Sequence, residues 1–267
     1  MPEFLMPVLA VLLLLLGAIG SWRVARRAAR ADRLFTALAA SSLAVILLWF
    51  LLAHGSGLGF AFLTWDDWTW FERPVLFLAL FLLLALCLVR LPRRERVLVG
   101  AVAAIFGLYA LAETAAPLGF GLWAGRLSDR TDRADDGQQS TGWSCGAAAL
   151  AWALRQEGVP ASERQVAWLA GTNPLHGTTD RGLVRAADVL GRPLRVSTRK
   201  RWETLAAARL PALAGWYLGG GVAHMVVVTA VEPGGQVRVH DPLQGDQTYS
   251  QSEFMAHWMG DLLAGRP

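Results

Sequence analysis

Up to about residue 118 the chain consists of long apolar runs separated by short polar stretches, whereas from Gly119 onward charged residues, Gly and Thr alternate with short apolar blocks. The change in pattern predicts two parts, one in a membrane and one in water. Four apolar runs are candidate spans: about 4–22, 34–53, 74–89 and 97–118. A helix rising 1.5 Å per residue needs about 20 apolar residues to cross about 30 Å of hydrocarbon, which the second and fourth runs supply, the first approaches and the third falls short of. The first run is followed by Arg-rich sequence, the wrong flank for a cleaved signal peptide, so it is expected to stay as a span.

The polar stretches between runs set the orientation. Arg23, Arg26, Arg27, Arg30 and Arg33 follow the first run, and Arg90, Arg93, Arg94 and Arg96 follow the third. The stretch between the second and third runs has only Arg73 against Asp66, Asp67 and Glu72. Cytoplasmic loops carry the excess of Lys and Arg, so both Arg-rich hairpins are expected in the cytoplasm. With four spans, the N-terminus and everything after residue 118 then lie outside it. The same clustering accounts for the net charge of +4. Nucleic acid is not expected as a partner, because no aromatic residues are interleaved with the basic ones. The outer stretch 59–74 packs Phe60, Phe62, Trp65, Trp68, Trp70 and Phe71 around two aspartates. It reads as an aromatic belt at the headgroup level, or as a platform for a soluble domain or substrate. Glu113 falls near the outer end of the fourth run and is assigned no role.

After a linker over 119–136, the pattern of residues 137–267 changes from a period of 3.6 to a period of 2. "SCGAAALAWALRQEG" predicts a helix with Ser144 as N-cap and Gly158 as its stop. "SERQVAWLAG", with Ser162 and Gln165 in a capping-box pattern, predicts a second, and "TTDRGLVRAADVLG" a third. Strands follow in "LRVST", "PALAGWYL", "HMVVVTAVE" and "QVRVHDP", with "EPGGQ" as the turn between the last two, and "SQSEFMAHWMG" predicts a closing helix. Helices first and an antiparallel sheet second is α+β order.

Only two cysteines occur, Cys87 in an apolar run and Cys145 in the polar half, so both are expected as free thiols. Cys145 falls at the first turn of its helix, where unpaired backbone N–H groups and the helix dipole favour an anion such as a thiolate. Position alone fits an inert helix-start cysteine equally well. His224 opens the third strand and Asp241 ends the fourth, seventeen residues later. If the "EPGGQ" turn closes a hairpin, those two residues become neighbours. A thiolate, an imidazole that takes and returns a proton, and a carboxylate that orients the imidazole together make a nucleophilic triad. An oxyanion donor is then needed, and Gln139, six residues before Cys145, can supply it with the Cys145 backbone N–H. Gln138 is the less suitable alternative by spacing. A metal site from Cys145, His224, His240 and Asp241 lacks the close-spaced ligand pairs of structural zinc. Strand alternation turns His240 to the face opposite Asp241, and His54, His176 and His257 read as loop or surface residues.

Gln139, Cys145-Gly146 followed by small residues, His224 followed by Met-Val-Val-Val, and Asp241-Pro242 occur in this order over residues 137–260. In this the chain resembles the bacteriocin-processing, double-glycine peptidase family of the papain-like cysteine peptidases. The resemblance implies an α+β papain-like domain with a helical lobe and an antiparallel sheet. It also implies Cys145 as nucleophile, His224 as general base and acid, Asp241 as orienter, Gln139 as oxyanion donor, and neither metal nor organic cofactor. The expected function is that of a membrane-anchored cysteine peptidase, with a peptide or protein substrate and the lipid bilayer as partners. A catalytically silent peptide-binding module and a papain-like acyl transferase or deamidase remain open beside it. The sequence has no Gly-rich phosphate loop with a Lys, so any coupling to export is expected through a separate export system.

Overall fold

The computed structural model describes residues 5–54, 68–132, 136–198, 200–219 and 223–265. The chain forms two compact units, Met1–Gly119 and Phe120–Pro267.

The first unit is helical: α1 (Leu5–Ala28), α2 (Asp32–His54), α3 (Trp68–Arg90) and α4 (Arg93–Ala115). Three helices are long and apolar enough to cross a membrane, over Val8–Ala28, Asp32–Phe50 and Arg93–Arg126, and Pro74–Arg90 is a shorter apolar helix. Helix α3 packs against the other three. Ala25 and Ala28 of α1 meet Ala85 and Leu86 of α3 at one end of the unit, with Phe35 and Leu38 of α2 against them. Elsewhere Leu14, Phe77 and Ala110 join α1, α3 and α4. The α1–α2 and α3–α4 turns lie together, because Arg90 bonds Asp32 at 2.5 Å and sits 3.7 Å over the Phe35 ring. Leu16, Ile19, Leu48, Ile105 and Leu108 point outward from the bundle. Water rarely faces apolar surface on that scale, whereas lipid does. Glu113 is buried and accepts a hydrogen bond from the Tyr109 hydroxyl at 3.0 Å. Residues 59–67 of the aromatic stretch lie outside the described residues.

The second unit opens on a short helical turn, Phe120–Trp123, and its further helices are α5 (Cys145–Gln156), α6 (Glu163–Ala170), α7 (Asp180–Val189), α8 (Trp202–Ala206) and α9 (Gln251–His257). Three of the helices have side-chain caps, of which that of Ser162 is the one expected from the sequence. Ser162 accepts from the Gln165 N–H, Thr179 from the Gly182 N–H, and Ser250 with Glu253 forms a full capping box. Ser144 departs from expectation: it occupies the N-cap position of α5, yet its hydroxyl makes no cap bond. Instead the hydroxyl accepts the Thr141 N–H at 3.2 Å and donates to the Thr141 carbonyl at 3.1 Å, closing the turn that leads into α5.

The six strands are β1 (Leu194–Ser197), β2 (Ala212–Tyr217), β3 (Ala223–Val231), β4 (Gln236–Asp241), β5 (Gly245–Ser250) and β6 (Trp258–Gly265). They form one antiparallel sheet in the order β1-β6-β2-β3-β4-β5. One face buries Ala214, Trp216, Val226, Val228 and Val239 with Leu205, Phe254 and Trp258. Helix α5 packs on β2 and β3. The expected closing helix is a correction. It runs only over Gln251–His257, and the chain continues as β6, which inserts between β1 and β2. The backbone extends there because β6 must pair on both edges, and its Leu262 and Leu263 are buried. Strand β5 and helix α8 likewise go beyond the sequence reading.

Candidate active site

Two segments converge on the start of α5. The β3–β4 hairpin closes through the expected turn, with the Glu232 N–H donating to Gln236 O at 2.8 Å and the Gly235 N–H to Glu232 O at 2.9 Å. Closing it brings the start of β3 beside the end of β4, and His224 Nε2 lies 2.7 Å from Asp241 Oδ1. Asp241 Oδ1 also accepts the Leu243 N–H at 2.8 Å, so backbone and imidazole fix the carboxylate together. Both side chains are buried, whereas Cys145 is partly exposed. With Nε2 given to Asp241, Nδ1 is the ring nitrogen left for Cys145, which lines the same cleft.

The electrostatics follow from this row. Burial pulls the His224 imidazolium down from 6.5, but hydrogen bonds to Asp241 and Cys145 and the charges of both outweigh it, and the pKa rises to about 9. Burial pushes Asp241 up, and the His224 hydrogen bond, the Leu243 N–H and the imidazolium charge together hold it below the usual carboxylate range. His224 is therefore held in its cationic form at neutral pH.

Gln139 belongs to the second segment. Its backbone N–H donates to Pro242 O at 2.9 Å, one residue past Asp241, so the turn that holds the carboxylate also holds this loop. Buried Glu163 accepts the next N–H, that of Ser140, at 3.0 Å and fixes the loop to α6. The Gln139 amide Nε2 donates to Thr141 O at 2.7 Å, and its Oε1 is buried without a hydrogen-bond partner among the described residues. Gln138 is exposed. The structure thus brings Cys145, His224 and Asp241 into one row and anchors Gln139 just upstream, outside the wall of the cleft described next.

Cys145 and His224 open onto a cleft of about 540 Å³ whose wall also includes Trp143, Thr178 and Met225. Two further carboxylates that the sequence reading did not single out, Asp180 and Asp261, line the same cleft. Asp180 starts α7, where a helix-capping role hides it, and Asp261 sits in the strand that was read as the tail of a helix.

The other histidines stand apart from the row. His240 stacks on Trp152 of α5 at 4.1 Å between centroids, and its Nδ1 bonds Asp246 at 2.8 Å. His176 is exposed on the loop at the cleft rim and bonds Asn173, while His257 stacks on Trp216. The side chain of His54 lies outside the described residues.

The family model for peptidase C39 matches residues 137–267, which hold this row and its cleft. A protein of Methanothermobacter marburgensis that is itself uncharacterized is 36% identical over 126 residues, 47% of this chain and 84% of that one. The chain belongs to the peptidase C39 family. The C39 domain is also similar to solved structures. One is a double glycine motif protease from an AMS/PCAT transporter in complex with the leader peptide, at 23% identity and a TM-score of 0.44 over 49% of this chain and 89% of that one. Another is the peptidase domain of Streptococcus ComA, described as a bi-functional ABC transporter of a quorum-sensing pathway. It matches at 27% identity and a TM-score of 0.44 over 49% of this chain and 96% of that one.

Proposed function

We propose that residues 137–267 are a cysteine peptidase anchored by a transmembrane domain, residues 1–118, through a linker over 119–136, and that it cleaves a peptide or protein outside the cytoplasm. The single observation that carries the reading is the row Cys145–His224–Asp241 at the first turn of α5, with the imidazole raised to about 9. In this reading the Cys145 thiolate attacks the scissile carbonyl carbon, and negative charge moves to its oxygen. That oxyanion is met by the Cys145 backbone N–H and the second hydrogen of Gln139 Nε2. The C–N bond breaks as the His224 imidazolium gives its proton to the leaving amine, which leaves a thioester on Cys145. Neutral His224 then takes a proton from water as that water attacks the thioester, and the acid product leaves with thiolate and imidazolium restored. Asp241 holds the ring by Nε2 throughout, so that Nδ1 performs every transfer.

The test in cells compares peptides processed by wild type and by Cys145→Ala. Full-length precursors are expected to accumulate in the variant, and identical pools would favour a binding module. For topology, the Arg-rich turns at one end of the helical unit support a shared cytoplasmic side and four crossings. A reporter fused after Pro267 is therefore expected to give an extracytoplasmic signal in whole cells. A cytoplasmic signal would mean an odd number of crossings, most simply with α3 failing to span.

A further inference from the structure

Opposite β2, strand β6 leaves its register. Ala214 pairs with Leu262 and Trp216 with Trp258, so Met259, Gly260 and Asp261 together face the single residue Gly215. Such a bulge re-aims side chains, and bulges recur beside active sites. This one is held open by Gly260, whose φ of 108° suits glycine, and by the Trp258 indole N–H, which donates to Asp261 O at 2.7 Å. The result is that Met259 and Asp261 line the cleft that holds Cys145 and His224. A Cβ on Gly215 would collide with the Asp261 carboxyl, so the carboxyl lies directly on the β2 backbone and accepts the Gly215 N–H. Gly215 pairs with Met225, the residue after His224, which puts this carboxylate one pair along the sheet from the imidazole.

Across the cleft stands Asp180, the first residue of α7. The two carboxyls sense each other: burial first, then the charge of Asp261, raises Asp180 to about 7, with Arg181 acting the other way. Asp261 is raised by burial, against the pull of the Gly215 N–H. Among the described residues neither carboxylate has a salt-bridge partner, and no Lys or Arg lines the cleft. Two partly buried like charges without a cation between them are costly, and a ligand that supplies the cation relieves that cost.

We propose that Asp261 and Asp180 are specificity-determining residues that receive a cationic group of the substrate, a Lys or Arg side chain or a free amine, beside the scissile bond. The proposal rests on the cysteine-peptidase reading of the same cleft.

The experiment uses the full chain in detergent with Cys87→Ala, which leaves Cys145 as the only thiol. Rates of Cys145 modification are compared for three methanethiosulfonates: trimethylammonium-ethyl, sulfonatoethyl and neutral methyl. Relative to the neutral reagent, the cationic one is expected to react about tenfold faster than the anionic one, a ratio typical of one or two nearby charges in a partly desolvated site. In Asp261→Asn with Asp180→Asn the ratio, taken relative to the neutral rate of the same variant, is expected to fall to within about threefold, and a thermal melt matching wild type reports an intact fold. As a second measurement, agmatine should protect Cys145 from the neutral reagent in wild type and not in the double variant. An unchanged ratio together with unchanged protection would overturn the proposal. Failure of the underlying reading shows separately, as neutral-reagent rates that are the same with and without His224→Ala.

Discussion

Cys145→Ala and His224→Ala are each expected to lower kcat on a peptide substrate by about ten-thousand-fold or more, and the double variant is expected to be no worse than the weaker single. Residues that act as one unit are non-additive, because once the nucleophile is gone no tetrahedral intermediate forms for the imidazolium to protonate, and once the imidazole is gone the nucleophile is not poised. The two are placed to act as a unit because both line one cleft and because Cys145 is among the groups that raise the imidazole. What survives in every variant is the contribution of the cleft and the oxyanion donors, which need neither side chain. Single-turnover measurements on the full chain, with thermal melts to show that each variant is folded, supply the numbers. Losses that multiply in the double variant would mean that the two residues act independently, and the proposed division of labour between them would fail.

The parts of this site that the sequence revealed are those built by local rules. Cys145 at a helix start follows from an alanine-rich run after a turn, and the neighbouring His224 and Asp241 follow from two apolar strands around one turn. Both depend on contacts within about 20 residues. Gln139 follows from spacing to Cys145, but its fixing does not: Pro242 O and Glu163, which hold its loop, lie about 100 and 24 residues downstream of it. Asp261 was out of reach for a stronger reason. Its place depends on β6 passing between β1 and β2, a non-local pairing of strands separated by about 40 residues or more, and on a bulge that breaks the alternation by which strands are recognised. The sequence "WMGD" at the end of a helical pattern has no signal of its own that distinguishes a last helical turn from a bulge. Ser144 shows the opposite failure, where the residue type favours a cap and a nearer partner, Thr141, takes its hydroxyl. In the helical unit, composition and length were enough to find the four apolar helices, three of them long enough to cross a membrane, since that depends only on the length of an apolar run.

A pH profile separates the charged row from an ordinary buried histidine. In kcat/KM the free protein is expected to show a basic limb near pH 9, where His224 loses its proton, rather than near the ordinary 6.5. The imidazolium is the acid that protonates the leaving amine and the counter-charge of the thiolate, so activity holds below the limb and falls as pH rises through it. Stability should follow the same sign. The folded pKa of His224 lies above its unfolded value, so its contribution is full below about 6.5 and is lost as pH rises towards about 9. Asp241→Asn removes a hydrogen bond and a charge that raise the imidazole, while the burial that lowers it remains. In that variant both the basic limb and the pH at which the melting temperature begins to fall should move down together, and kcat should fall about a hundredfold or more at the optimum. Neutral His224→Gln should lose the limb altogether. A basic limb near 9 that stays in place in Asp241→Asn would show that another group titrates there, and the carboxylate would then serve to orient the ring without holding its charge.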